Sequence, residues 1–228
     1  MKLYQLTGAD KSQGFSPYVW RSMMALAHKG LEVDLISLSF CEIAEKLGPL
    51  GYKTVPVLEV DGDHIGDSWD IACYLEETYP DRPSLFNGDM GKAQSLMIKN
   101  ISLYNLAATL FPALARDILD VLDDQDQAYY RKTREVRLGR SLEEVAADQE
   151  NSLKAFRKQL IPYNLTLKNE DFFSGTAPAY PDYIIYSIFQ WARGVSPATL
   201  LEEDEPLFQW RERMDNLFDG LGKSVKQR

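Results

Sequence analysis

The run Tyr79-Pro80-Asp81-Arg82-Pro83 splits the chain into two stretches with different hydrophobic periods. Two prolines within five residues end any regular element that reaches them. Before the run, short β-rich segments alternate with helical ones, and beyond Asp89 almost nothing but helical spacing remains. The expected fold class is therefore an α/β domain over residues 1–80, a linker over 81–89 and an all-α helical bundle over 90–228. At 228 residues, two domains can each bury a core.

Within the first stretch, residues 2–6 read as a strand closed by Thr7 and Gly8. From Pro17 onward, Val19, Trp20, Met23, Met24, Leu26 and Ala27 recur at helical spacing, with Gly30 placed to stop the helix. Leu31, Val33 and Leu35 alternate across 31–38 as a second strand, and 42–47 can form a short helix ended by Gly48-Pro49. Residues 55–60 open a hairpin through the favoured turn Asp61-Gly62, and His64-Ile65 returns. A helix over 68–78 follows, with Ser68 suited to its N-cap. The order is βαβα then ββα. In the second stretch, helical periods cover 91–121, 125–160, 181–193 and 206–217. The segment from Tyr183 to Trp191 is apolar nearly all round, which predicts a central helix.

Composition removes several functions. A net charge of −9 disfavours nucleic acid and anionic lipid as partners. No run approaches the roughly eighteen apolar residues of a membrane span, and no basic stretch leads into an apolar secretory core, so a cytoplasmic location is expected. Cys41 and Cys73 make neither a disulfide framework nor a zinc pattern, and His28 and His64 have no sequence neighbours that would make a catalytic pair or a metal site.

Three clusters could carry chemistry. Pro17 fits the first helical position and makes Ser16 the N-cap, so the Ser16 hydroxyl lies beside unpaired N–H groups at a positive helix end. A thiolate resting there would have a pKa below the free value of about 8.5. Pro56 interrupts a β-rich run; a cis Val55-Pro56 bond would turn the Val55 main chain outward to pair with an extended peptide, whereas a trans proline would mark a sheet edge. Asp67-Ser68 opens a helix and can take an ammonium and a carboxylate. Taken singly, the first and third are ordinary caps. Together a thiolate stabiliser, a peptide-pairing strand and an amino-acid clamp describe a receptor for a small thiol peptide with a free γ-glutamyl head, which is glutathione.

The motifs Ser16-Pro17-Tyr18-Val19-Trp20-Arg21, Lys53-Thr54-Val55-Pro56-Val57-Leu58 and Asp67-Ser68-Trp69-Asp70-Ile71-Ala72 resemble the serine-type classes of the glutathione transferase superfamily. With Tyr79-Pro80-Asp81-Arg82-Pro83 and Leu217-Phe218-Asp219-Gly220-Leu221-Gly222, the chain looks like the bacterial β-etherases that cleave lignin aryl ethers, and like a related fungal class. The resemblance implies a thioredoxin-like N-terminal domain, glutathione as co-substrate and a homodimer. It also implies that Ser16 stabilises the thiolate, Val55 pairs with the cysteinyl unit, and Asp67 and Ser68 hold the γ-glutamyl group. Lys53 is a candidate for the glycyl carboxylate, although relatives place a basic residue where this chain has Thr54. The second substrate implied is a small hydrophobic aromatic electrophile, with Tyr104 and Phe111 as candidates for its pocket. Relatives also begin the central helix with a hydroxyl or amide side chain three residues before an Asp, where this chain has Ala179 before Asp182; half of that capping box is missing, an expected cost of about 1 kcal/mol. Two rivals stand beside the transferase: a non-catalytic glutathione or aromatic-ligand carrier, and a thiol-disulfide reductase, against which a serine at the first helix counts.

Overall fold

A computed structural model describes residues 1–225 and 227–228. The N-terminal part is thioredoxin-like: β1 (Lys2–Leu6), α1 (Pro17–His28), β2 (Asp34–Leu38), α2 (Phe40–Lys46), β3 (Val57–Val60), β4 (Asp63–Gly66) and α3 (Ser68–Thr78). The strands form one sheet in the order β2-β1-β3-β4, with β1 and β2 parallel and the other pairs antiparallel. Tyr4 lies opposite Val57, and Val57 opposite Gly66. That register puts three chain segments at one end of the sheet: the exit of β1, the approach to β3 and the start of α3.

The second strand is shorter than its alternation predicts. Helix α1 ends with the Gly30 N–H on the Ala27 carbonyl and the Leu31 N–H on the Leu26 carbonyl, with Gly30 at φ 65°. This double closure ties Leu31 to the helix end, so strand pairing begins only at Asp34. The hairpin turn forms as expected, with Asp61 at φ 52° and Gly62 at φ 96°.

The C-terminal part is helical: α4 (Asp89–Ile101), a widened π-type segment (Ser102–Ala107), α5 (Ala108–Val121), α6 (Asp124–Leu138), α7 (Leu142–Ala147), α8 (Gln149–Gln159), α9 (Ile161–Thr166), α10 (Tyr180–Val195) and α11 (Pro206–Asp215). The single helix expected over 125–160 is three helices. Gly139 at φ 67° closes α6, and Ser141 caps α7 in a reciprocal box with Glu144. Residues 89–121 do run on continuously, but through a wide turn that stands just before Pro112. Pro112 cannot donate to the Ala108 carbonyl. Into the widened stretch ahead of it, the Thr109 hydroxyl donates to the Leu106 carbonyl at 3.2 Å and to that of Asn105.

Helix α10 is central, as its all-round apolarity predicts: Tyr183, Ile184, Tyr186 and Ile188 are fully buried. Its start compensates for the missing cap. The Asp182 N–H, which a capping hydroxyl would take, donates to the Ala179 carbonyl at 3.0 Å. The Asp182 carboxylate meanwhile accepts from the Ala179 and Phe173 N–H groups, the Ser174 hydroxyl and the Trp210 indole. A carboxylate with four donors is tolerated in the interior even though burial pushes its pKa up.

The two parts share one continuous core in which α1 packs along α10. Between α3 and α4, Leu85 and Phe86 turn inward; Phe86 meets the rings of Trp69 and Tyr180 at 5.4 and 5.5 Å. At the far end of α1, His28 Nε2 faces the Ser84 carbonyl at 3.1 Å and Nδ1 faces the Tyr183 hydroxyl at 2.5 Å. Since a carbonyl only accepts, Nε2 carries the proton and Nδ1 accepts from Tyr183. No helix among the described residues is long and apolar enough to cross a membrane.

Candidate active site

The loop after β1 is pinned before it delivers Ser16. The Phe15 N–H returns to the Leu6 carbonyl at 3.2 Å, Phe15 is buried, and the Trp20 indole N–H reaches back to the Gly14 carbonyl at 3.3 Å. Ser16 then takes an extended conformation (φ −68°, ψ 122°) as the N-cap of α1, with Pro17 at the first helical position. Its Oγ accepts from the Val19 N–H at 3.4 Å. Among the described residues its own hydroxyl hydrogen has no acceptor. Ser16 is thus a buried hydroxyl with a donor to give, at the positive end of a helix.

The Val55–Pro56 bond is cis, the first of the two alternatives that the sequence leaves open. Val55 lies just outside β3, level with the end of β1, and no hydrogen bond inside the described residues engages its N–H or C=O. The segment leading to it rests on β4. The Tyr52 hydroxyl donates to the His64 carbonyl at 2.7 Å, and the Tyr52 ring lies so close to Gly66 that a Cβ there would sit 2.5 Å from it. Only glycine leaves room for that contact. Lys53, next in the segment, is exposed.

The third cluster differs from expectation in one respect: Asp67, not Ser68, is the N-cap of α3. Asp67 Oδ1 accepts from the Trp69 N–H at 2.7 Å, and its backbone sits at φ 66°, ψ 133°. A non-glycine residue there carries a conformational cost of order 1–3 kcal/mol, of the kind that collects at ligand clamps. The displacement leaves Ser68 at the first helical position, where its side chain is not needed as a cap. Its Oγ is buried with no partner among the described residues. The Tyr180 hydroxyl on α10 donates to the Ser68 carbonyl at 2.7 Å and fixes this turn from behind.

Ser16, Val55 and Asp67-Ser68 therefore meet at one end of the sheet, while Lys53 stands at the exposed margin. Two further residues belong to this region. Lys99 on α4 reaches Asp67 Oδ1 at 3.8 Å and lies over the Trp69 ring at 5.6 Å. Arg21, at the end of the Ser-Pro motif, is buried beneath the cluster with its guanidinium 4.8 Å above the Tyr18 ring. Neither stands out from a surface or core cation in sequence, because only tertiary packing brings them here.

The other candidates are placed elsewhere. Phe111 is spent in the bundle core, stacked on Trp191 with Arg137 over its ring. Tyr104, on the widened turn beyond Lys99, is 73% exposed. Cys41 lies on α2, and burial together with the Asp126 carboxylate pushes its thiol up, the reverse of an activated nucleophile. No cluster of metal-ligating side chains exists among the described residues.

Residues 93–215 match the family described as glutathione S-transferase, C-terminal domain, and residues 15–78 match the glutathione S-transferase N-terminal domain. The chain belongs to the glutathione S-transferase family. It is 27% identical to the glutathione S-transferase-like protein ustS of Aspergillus flavus, over 92% of this chain and 81% of that one. It is 25% identical to glutathione transferase omega-1 of Caenorhabditis elegans, over 88% of this chain and 74% of that one. Among solved structures, a glutathione S-transferase of Ceriporiopsis subvermispora in complex with glutathione superposes with a TM-score of 0.79 at 22% identity, over 98% of this chain and 94% of that one. A glutathione transferase of Phanerochaete chrysosporium, GSTFuA3, gives the same TM-score at 23% identity, over 100% and 97%. These two structures share the fold.

Proposed function

We propose that this protein binds glutathione across the Ser16, Val55 and Asp67-Ser68 cluster and directs its thiolate at an electrophilic carbon of a hydrophobic aromatic second substrate. The observation that carries the reading is a set of unspent polar groups at one end of the sheet: the Ser16 hydroxyl hydrogen, the Val55 main chain and the buried Ser68 Oγ. Buried polar groups normally find partners. One small thiol peptide supplies all three: a thiolate for Ser16, a peptide unit for Val55 and a carboxylate for Ser68. Asp67, half exposed, takes the γ-glutamyl ammonium, and Lys53 the glycyl carboxylate. The glutathione-bound relative from Ceriporiopsis subvermispora supports the choice of ligand.

Ser16 donates to the sulfur and the α1 N-terminus adds its positive end, so the thiolate is populated near neutral pH. In the β-etherase form of the reaction, the thiolate attacks the carbon beside a ketone, a C–S bond forms, the C–O bond to the aryl group breaks, and the phenolate leaves to be protonated by water. The aryl ring spreads the leaving charge, so the enzyme's part is thiolate supply and orientation. Tyr104 supplies aromatic surface on the widened turn beyond Lys99. Incubation with a β-aryl-ether ketone and glutathione is expected to release phenol and a glutathione thioether in equal amounts. Turnover of a chloronitrobenzene without any phenol from the ether would overturn the etherase form and keep the transferase. In this reading a second copy covers the exposed Met90 and Met97 of α4 in a homodimer.

A further inference from the structure

Arg21 is 1% exposed, yet among the described residues the only hydrogen bond of its side chain is from Nε to the Ser187 hydroxyl on α10, at 3.2 Å. Nη2 is buried with no partner, and among the described residues no carboxylate lies within 4.0 Å of the guanidinium. The Ser187 hydroxyl is itself committed, donating to the Ile184 carbonyl at 2.7 Å, and so brings no charge. Burial pulls the Arg21 pKa down, opposed weakly by Tyr180, Tyr18 and Asp67. A guanidinium does not deprotonate in proteins, so Arg21 is a buried cation with no carboxylate in contact among the described residues, and Asp67 acts on it only at longer range.

Its position says what would compensate it. Arg21 lies four residues beyond Pro17, one turn up the same face of α1. The Tyr180 hydroxyl, close enough to feel the guanidinium, bonds the Ser68 carbonyl. Ser68 carries the other orphan of this region, its Oγ. An unpaired buried cation thus stands behind an unpaired buried hydroxyl at the N-terminus of an eleven-residue helix. All three favour negative charge at the same place.

We propose that Arg21 is the buried counter-charge of the γ-glutamyl α-carboxylate, a positioning residue that acts across Ser68 and the first turn of α3 without touching the ligand. This rests on the glutathione reading above. Through a partly buried medium, one charge at such range changes affinity on the order of tenfold. The effect is confined to ligands that carry that carboxylate.

The test is calorimetric titration of wild type, Arg21→Met and Arg21→Lys with two probes, glutathione and its analogue bearing a carboxamide in place of the γ-glutamyl α-carboxylate. Wild type is expected to prefer glutathione more than tenfold; Arg21→Met loses about tenfold of that preference and keeps the part that Ser68 and the α3 N-terminus supply, with unchanged affinity for the carboxamide, and Arg21→Lys keeps most of the preference. Ligand-free Arg21→Met should melt no lower than wild type, because removing an uncompensated buried charge in a similar volume is neutral or stabilising. Equal weakening toward both probes, an undiminished preference in Arg21→Met, a folded Arg21→Lys without preference, or an Arg21→Met chain that does not fold would overturn the proposal. Wild type that binds neither probe refutes the glutathione reading itself, a result separate from any of these.

Discussion

Replacing Ser16 by alanine removes one hydroxyl with two consequences of different size and pH behaviour. The cap it provides is a 3.4 Å hydrogen bond to the Val19 N–H, backed by Pro17 at the first helical position. Its loss should cost at most about 1 kcal/mol of stability. The catalytic consequence is the loss of the one side-chain donor to the sulfur, while the α1 N-terminus remains. A single charge-assisted hydrogen bond to the thiolate corresponds to about one pKa unit, or about 1.4 kcal/mol. The variant's kcat/KM with an aryl electrophile should therefore fall about tenfold on the acidic limb. The rising limb should move up by about one pH unit, and the two profiles should converge at high pH, where both thiols are ionised. Ultraviolet titration of the bound thiolate reads the same shift directly. A uniform loss at every pH, or an unshifted limb, would refute the claim that Ser16 acts on the thiolate and leave it a cap.

Phe86→Ala should destabilise by about 3–5 kcal/mol, because it opens a cavity between Trp69 and Tyr180 in the wedge that joins the two parts, and a fall in Tm with little change in the ligand-free spectrum of the helices would register it. His28 carries the pH dependence of that junction. Burial first, and then Lys29, hold its pKa below the usual 6.5, so its contribution is complete above about pH 6.5 and is lost as pH falls from there through the folded-state value. Urea midpoints at about pH 7.5 and pH 5.5 should therefore differ more for wild type than for His28→Gln; equal differences would sink the assignment.

Local chemistry made most of the first domain readable in sequence. The Asp61-Gly62 turn, the Pro17 start of α1 and the limits of α3 each follow from residues within a few positions of one another. The errors lie where a local signal competed with a neighbour. Ser68 looks like a cap, but Asp67 before it takes the role at a positive φ that no pattern announces. The start of β2 was lost to the closure of α1 at Leu31. The break at Gly139 and Ser141 carried a readable signal, a glycine followed by Ser-x-x-Glu, which the longer helical period over 125–160 obscured. Pro112 marks an irregularity in 89–121, but the widened turn comes ahead of it. Arg21 and Lys99 could not be found from spacing at all. What distinguishes them is what they lack or reach in three dimensions: a counter-ion for one, Asp67 for the other.

The central claim is that glutathione is held by its γ-glutamyl end at the start of α3. Ser68→Ala tests it most cleanly, because the Ser68 Oγ has no partner among the described residues and its removal should leave Tm unchanged. Calorimetric titration should show saturable binding of glutathione to wild type and about tenfold weaker binding to Ser68→Ala, as expected for one hydrogen bond to a charged group. Equal affinities, or no binding to the wild type, would contradict the account.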